Sequence, residues 1–240
     1  FGLGNTSKTD SLIILESTIP TNDMVICASK DIKQKNWQAG KNNLNLYYHI
    51  LADSITHKMQ NDLGNIIQTL SNYFGDETRT INVILSKREM GGGYGRIGGM
   101  FLGGFQADQF YEYNEAYHRY FAHEFSHLWW YKADTKSWED WLNESFAEYS
   151  SLCWIRKKFG QHAFLKRMEK KVKQSKNSSP IWDFDRNNDP NSSTILYNKG
   201  PVLLWKLKKR IGSVRFQNFY STLIAKEVKT TSSLLTCLSD

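Results

Sequence analysis

The sequence predicts an α+β fold that is mostly helical and carries a small β-sheet. An apolar stripe recurs at three- and four-residue spacing from Leu44 to Phe74, which indicates a long amphipathic helix. Ile81, Val83 and Leu85 recur at two-residue spacing and so lie on one face, which is typical of a strand. Helical patterns then dominate from residue 116 to the end of the chain, so helices outnumber strands.

The first third of the chain combines short strand patterns with the long helix. Two apolar runs, Leu12–Leu15 and Met24–Cys27, have strand character, and a turn-rich stretch follows at Gln38–Asn43. We expect an asparagine at the end of that stretch to cap the long helix, and we expect Gly75 to end it. The apolar stripe between them is interpreted as core.

A strand predicted over Thr78–Leu85 is followed by a glycine-rich segment, Met90–Phe101. The segment contains a literal Gly-x-Gly-x-x-Gly pattern, but no helix begins where dinucleotide binding requires one. The glycines instead favour the close approach of a substrate backbone. Met100–Phe105 is predicted to be an edge strand, which could pair with an extended peptide.

The helix predicted over Ala116–Lys132 carries a metal-binding pattern, His-Glu-x-x-His, with His123, Glu124 and His127. Two histidines four residues apart lie on one helix face, so both imidazoles can reach one metal ion. Zinc accepts such nitrogens, and a catalytic zinc takes three protein ligands and a water. Glu124 lies beside the pair, where it can take a proton from that water. The alternative is a chance match on a buried helix, and a third ligand distinguishes the two.

A second helix is predicted to begin at Trp141, with Asp140 as its N-cap. Glu144 would lie in its first turn, and Glu148 would follow one turn later on the same face. A carboxylate there can complete a His, His, Glu site, and the second acid can orient a ligand. The alternative, a solvated acidic face, fits poorly because large apolar residues surround both acids.

These two motifs together resemble the aminopeptidase N family of gluzincin zinc metallopeptidases. The second helix of that family reads Trp-Leu-Asn-Glu-Gly-Phe-Ala, and Glu144 matches its glutamate, the third zinc ligand. Sixteen residues separate His127 from Glu144, which is two fewer than the family usually has. The resemblance implies one Zn²⁺ ion, held by His123, His127 and Glu144, in a thermolysin-like catalytic domain.

Two further segments resemble motifs of the same family. The tetrapeptide that begins at Tyr197 resembles Tyr-x-Lys-Gly, whose tyrosine stabilises the tetrahedral intermediate, so we expect Tyr197 to act in catalysis together with Glu124. The substrate-binding motif Gly-x-Met-Glu-Asn is matched only at its start. We assign to substrate binding the four residues Gly98, Gly99, Met100 and Phe101.

The position of Phe101 bears on specificity. In the family a glutamate stands there and helps to bind the free α-amine of the substrate. The sequence therefore predicts a zinc peptidase, most simply an aminopeptidase that cleaves peptide substrates. An endopeptidase, a peptidase of atypical end specificity, and a non-catalytic peptide-binding domain remain as alternatives. Asp108, Glu112 and Glu115 are acids that could replace the missing glutamate.

The resemblance also suggests a domain division. Residues 1–40 are interpreted as the remnant of a preceding β-rich domain or linker, and residues 41–240 as the thermolysin-like catalytic domain. We expect the chain to be part of a longer protein whose flanking domains are absent.

Composition excludes several other classes of function. The formal net charge is +7, and much of the excess lies in Lys166–Lys176 and Lys206–Arg210, which are interpreted as solvated helix faces. No zinc-finger spacing or aromatic-interleaved basic stripe predicts nucleic-acid binding. The three cysteines are far apart and odd in number, so they form no disulfide framework. No apolar run reaches transmembrane length.

Overall fold

The computed structural model describes residues 5–16, 26–27, 29–75, 78–87, 92–96 and 98–239. The chain divides into two compact units. The first unit comprises Phe1–Ser71 and Asp76–Leu128, and the second comprises Asn72–Gly75 and Trp129–Asp240. Every strand among the described residues belongs to the first unit, and the helices of the second unit follow in order along the chain.

The first unit contains a two-stranded and a five-stranded sheet. Their strands are β1 (Asn5–Lys8), β2 (Ile13–Glu16), β3 (Lys33–Ala39), β4 (Asn42–Tyr48), β5 (Thr80–Leu85), β6 (Gly92–Arg96) and β7 (Gly99–Gly103). β1 pairs with β2, and the larger sheet has the order β3-β4-β5-β7-β6. The pairs β4–β5 and β5–β7 are parallel, whereas β3–β4 and β6–β7 are antiparallel.

The predicted start of the long helix is wrong. Asn42–Tyr48 forms the strand β4, and the helix α1 runs only over Asp53–Phe74. Leu44 and Leu46 are both fully buried, and this spacing of two fits a strand as well as the wider spacing fits a helix. Hydrogen bonding to β3 on one side and β5 on the other decides in favour of the strand. The predicted end of the helix at Gly75, which has φ of 114°, is confirmed.

The remaining strand predictions have mixed outcomes. The strand predicted over Thr78–Leu85 is confirmed as β5, and the first apolar run corresponds to β2. Residues 24 and 25 of the second predicted run lie outside the described residues. The prediction of an edge strand at Met100–Phe105 is wrong, because β7 lies between β5 and β6. The glycine-rich segment itself forms β6, which is an edge strand of this sheet. Glycine has a low strand propensity, so the sequence did not indicate a strand there.

Helix α2 (Asn114–Ser126) is anchored to α1 by a buried polar cluster. The Oδ2 atom of Asp62 lies 3.3 Å from Nε2 of His118 on α2, and Lys58 donates to both Asp62 and Asn114. Burial raises the pKa of the Asp62 carboxyl, but the hydrogen bonds and charges of His118 and Lys58 outweigh this effect and hold the pKa below its usual value. The predicted helix end at residue 132 is too late, since α2 ends at Ser126.

The second unit is helical. Its elements are a 3₁₀ turn (Trp138–Asp140), α3 (Trp141–Ser175), α4 (Ser192–Thr194), a π-helical turn (Ile195–Lys199), α5 (Gly200–Ile211), α6 (Ser213–Ala225) and α7 (Thr231–Ser239). They contain the helix predicted from Trp141, and they agree with the helical pattern that the sequence shows towards the end of the chain. No helix among the described residues is both long and apolar enough to cross a membrane.

An aromatic core lies among these helices. The rings of Trp130, Phe146 and Tyr220 have centroids 4.6–5.2 Å apart, and the tilted ring of Phe216 has its centroid 4.6 Å from that of Tyr220. Because large aromatic side chains bury the most apolar area, this cluster is a major source of stability for the second unit.

The predicted N-cap of α3 is only partly right. Asp140 does precede the helix, but its side chain caps no backbone N–H group. The carboxylate instead accepts hydrogen bonds from Nδ2 of Asn143 at 3.0 Å and from Nε of Arg186 at 2.9 Å. These bonds tie the start of α3 to the loop that precedes α4.

We predict that Asp62→Asn lowers the free energy of unfolding by about 1–3 kcal/mol at pH 7, because the buried His118 and the half-buried Lys58 lose a carboxylate partner. A carboxyl with a lowered pKa stabilises the fold above the pKa of the unfolded chain, and this stabilisation is lost as pH falls through the folded pKa. The difference between variant and wild type should therefore shrink below about pH 4.

Urea unfolding at pH 7 and below about pH 4 measures the effect. Asp108→Asn, at an exposed position, is the matched control. A difference that is the same at both pH values would show that the charge of Asp62 does not anchor α2.

Candidate metal centre

The predicted metal ligands are brought together. His123 lies on α2 and His127 immediately follows that helix, and both side chains are buried. Their ring centroids are 5.0 Å apart, with the ring planes nearly perpendicular. Glu144 lies in the first turn of α3. One ligand atom from each of His123, His127 and Glu144 lies within 4.8 Å of the other two.

This donor set fits zinc. Two imidazole nitrogens and one carboxylate oxygen are ligands that zinc prefers, and three protein ligands leave one position of a tetrahedral site open. A structural zinc site would normally use four protein ligands. Among the described residues, this is the one group of three or more His, Cys, Asp or Glu side chains that could hold a metal ion. His118, the third buried histidine among the described residues, faces Asp62 instead.

Glu124 is enclosed by the edge strand β6. A Cβ atom built on Gly93 would stand 2.0 Å from Oε1 of Glu124, and one on Gly95 would stand 2.5 Å from the carbonyl oxygen of Glu124. The same Cβ atom on Gly95 would also stand only 3.0 Å from the side chain of His127. The glycines therefore permit the close approach of α2. The predicted approach of a substrate backbone to this segment stays a prediction.

Tyr120 is a neighbour of Glu124 that the sequence analysis missed. It precedes Glu124 by one helical turn, and its hydroxyl donates to the carbonyl of Gly103 at 3.4 Å. Burial, and secondarily the negative charge of Glu124, raise the pKa of the Tyr120 phenol. The phenol therefore stays protonated at neutral pH. The four-residue spacing from Glu124 was the signal that could have identified it.

The residues assigned to substrate binding lie in and before β7. Gly98 forms a turn, and Gly99 and Met100 are buried in the strand. Phe101 is half-buried and packs against the core residues Tyr47 and Ile84. Gly99 has a clear structural role, since a Cβ there would stand 1.9 Å from the carbonyl oxygen of Asn82. A role of these four residues in substrate binding stays a prediction.

The tetrapeptide that begins at Tyr197 has a structural explanation for two of its residues. Nζ of Lys199 donates to the carbonyls of Ser178 and Ser179, at 2.7 and 2.6 Å, and so holds the loop that follows α3. A Cβ on Gly200 would stand 1.9 Å from Oγ of Ser145 on α3, so glycine is required there. Tyr197 itself is half-buried and lies in the π-helical turn.

Glu148 is fully buried on α3, one turn after Glu144. Its Oε1 atom lies 2.6 Å from Nζ of Lys171. The predicted role of Glu148 in orienting a zinc ligand stays a prediction, whereas the ion pair with Lys171 is a contact that the sequence did not indicate.

Comparison with known proteins agrees with this site. Residues 106–239 match the sequence model of the Peptidase family M1 domain. The fold is similar to native leukotriene A4 hydrolase from Saccharomyces cerevisiae, with 20% identity and a TM-score of 0.76 over 99% of this chain and 40% of that chain. No curated protein matches the sequence.

A second similar structure is an M1 zinc metallopeptidase mutant from Deinococcus radiodurans, with a bound Tyr-Ser-Ala substrate. It shares 17% identity and a TM-score of 0.70, over 99% of this chain and 56% of that chain. The chain thus spans less than two thirds of the length of either protein. The family match establishes zinc as the cofactor, and His123, His127 and Glu144 fit a single ion.

We predict that His127→Ala and Glu144→Ala each abolish stoichiometric zinc binding, because two remaining ligands hold the ion too weakly. Elemental analysis after dialysis measures the metal, and circular dichroism checks that each variant is folded. His162→Ala and Glu169→Ala, at exposed positions on α3, are matched controls that should retain one zinc per chain. A His127→Ala protein with a full complement of zinc would contradict the ligand assignment.

Proposed function

The chain belongs to peptidase family M1, and from this premise we propose that it carries the catalytic residues of a zinc aminopeptidase. The proposal includes a thermolysin-like catalytic domain over residues 41–240, preceded by a remnant of another domain or a linker over residues 1–40. The substrate is a peptide with a free α-amine.

One observation carries the proposal. The ligand atoms of His123, His127 and Glu144 converge within 4.8 Å, while Glu124, between the two histidines in sequence, is buried against β6. A three-ligand site with an adjacent carboxylate supports catalysis, because a purely structural zinc needs no proton acceptor and normally has a fourth ligand. This argues against the alternative of a non-catalytic peptide-binding domain.

The mechanism assigns a distinct task to each residue. Zinc, when bound, polarises the scissile carbonyl and lowers the pKa of a water. Glu124 accepts a proton from the water molecule while the water oxygen attacks the carbonyl carbon of the substrate. The phenol of Tyr197 donates a hydrogen bond to the oxyanion that develops. Glu124 then passes the proton to the departing nitrogen as the carbon–nitrogen bond breaks, which yields a carboxylic acid and an amine.

The edge strand supports a binding mode for the peptide. β6 is the outer strand of its sheet, and its backbone lies against α2 beside Glu124. An extended peptide that adds to β6 as a further strand would run past the catalytic carboxylate. We therefore propose β6, in addition to the residues predicted from Gly98 to Phe101, as the platform for the substrate backbone.

Specificity for a free amine requires a carboxylate, because an ammonium group that loses water without a partner costs several kcal/mol. Phe101 does not supply one. Asp108 and Glu112 are exposed and Glu115 is half-buried, so each is accessible to solvent in this chain. We favour aminopeptidase activity with one of these acids, or an acid elsewhere in the longer protein, as the partner of the amine. Phe101 favours the endopeptidase alternative.

We predict that Glu124→Gln retains zinc but loses turnover by several orders of magnitude, because the amide cannot accept a proton. Metal analysis and peptide hydrolysis are measured on the same preparation, with Glu169→Gln as the control at an exposed position. Parallel loss of zinc and of turnover would instead assign Glu124 a structural role.

We predict that Gly93→Ala lowers turnover by at least about tenfold while zinc stays bound, because the new methyl group must displace the Glu124 carboxylate. Gly64→Ala is the matched control, since its Cβ would meet Ala39 and Trp37 at ordinary contact distances of 3.5 and 3.6 Å. Full activity in the Gly93→Ala variant would contradict the contact between β6 and Glu124.

We predict that peptides with a free amine are cleaved at least about tenfold faster than their N-acetylated forms, because acetylation removes the charge that an acid must bind. The comparison measures kcat/KM for pairs of peptides that differ only in acetylation of the amine. Equal rates for the two forms would replace the aminopeptidase proposal with the endopeptidase alternative.

A further inference from the structure

The two halves of α3 fold back on each other. Glu148 and Lys171 are 23 positions apart along α3, and a straight helix would separate them by about 35 Å. Their charged atoms are nevertheless 2.6 Å apart. Gly160, with φ of 89° and ψ of 172°, reverses the chain between them. The ion pair is therefore a tertiary contact across this reversal.

Lys171 joins Glu148 to the segment that contains Tyr197. Its Nζ atom forms an ion pair with Oε1 of Glu148, and it donates to the backbone carbonyl of Tyr197 at 2.6 Å and to Oδ1 of Asn198 at 3.5 Å. The side chain of Lys171 is only 12% exposed and that of Glu148 is fully buried, so neither charge could be accommodated here without the other.

The carbonyl that accepts the hydrogen bond from Lys171 belongs to an unusual backbone segment. Ile195–Lys199 is a π-helical turn, a rare conformation that is often found at functional sites. Side chains of α3 bind two consecutive carbonyls of the turn. Oγ of Ser145 donates to Leu196 at 2.7 Å, and Lys171 donates to Tyr197. Ser145 directly follows the metal ligand Glu144, so α3 carries both the ligand and the contacts that fix the Tyr197 backbone.

We propose that Lys171, with its charge balanced by Glu148, is a positioning residue of the peptidase site. It fixes the main chain at Tyr197 and thereby sets the direction of the phenol that donates to the oxyanion. This inference rests on the proposed function, in which Tyr197 takes part in catalysis. A hydrogen bond to the oxyanion is effective only when its donor is already placed, so loosening the backbone lowers turnover without altering zinc binding.

The test replaces both charges together, because Lys171→Met alone would leave a buried carboxylate without its partner. In the Glu148→Gln/Lys171→Met variant, we expect kcat per bound zinc to fall about ten- to a hundredfold with KM little changed. The rate is expressed per bound zinc because Glu148 is also predicted to orient a zinc ligand. Lys170→Met, at an exposed neighbouring position, is the matched control and should retain wild-type kcat. Unchanged kcat in the paired variant would overturn the proposal.

A double-mutant cycle with Tyr197→Phe separates positioning from general stability. Tyr197→Phe alone should lower kcat about a hundredfold or more, and the paired replacement should then cause little further loss, because both act through the same phenol. Losses that multiply would overturn the positioning role. An unchanged kcat for Tyr197→Phe alone would instead refute the catalytic role of Tyr197 in the proposed function.

Amide hydrogen exchange provides a readout that does not depend on activity. In the paired variant, exchange over residues 195–200 should accelerate relative to wild type and to Lys170→Met, while the aromatic core around Phe146 keeps its protection. Unaltered exchange in the π-helical turn would show that Lys171 does not hold this segment, whatever the catalytic result.

Discussion

The contact between strand β6 and helix α2 is the constraint on which the geometry around Glu124 depends. Two glycines bring the strand so close that neither Gly93 nor Gly95 could bear a Cβ atom without displacing Glu124 or its backbone. On another face of the helix, Asp62 holds His118. A helix held on both faces presents its histidines in one orientation, and this reduces the conformational entropy that is lost when a metal ion binds.

A comparable constraint operates in the second unit through α3. The reversal at Gly160 lets one helical segment carry Glu144, Ser145 and Glu148, and lets the following segment return Lys171 to the same region. The π-helical turn with Tyr197 is thereby held by a hydroxyl and an ammonium group. Side chains near the start of α3 thus serve both metal binding and the placement of the proposed oxyanion donor, which makes this helix central to the proposed chemistry.

Local patterns in the sequence predicted what depends on local geometry. The ligand spacing of His123 and His127 follows from one helical turn, and Glu144 follows from the predicted start of a second helix. The strand β4 was mistaken for the beginning of α1, because Leu44 and Tyr47 also fit the helical stripe and only pairing with two other strands excludes a helix there. Such pairing is not encoded in any short window.

Two features could not be predicted because they join distant parts of the chain. The place of β7 inside the sheet depends on β6, whose glycines carry no strand signal of their own. The ion pair between Glu148 and Lys171 depends on a chain reversal at Gly160 within what otherwise continues as a helix.

X-ray absorption spectroscopy at the zinc edge shows directly whether His123, His127 and Glu144 bind one zinc ion. This ligand assignment predicts two imidazole ligands and one carboxylate, with nitrogen and oxygen atoms at about 2.0–2.1 Å and an additional light-atom ligand such as water. A sulfur shell at about 2.3 Å would contradict it by assigning the zinc to cysteine. A zinc-edge spectrum that fits only one imidazole ligand would also contradict this ligand set.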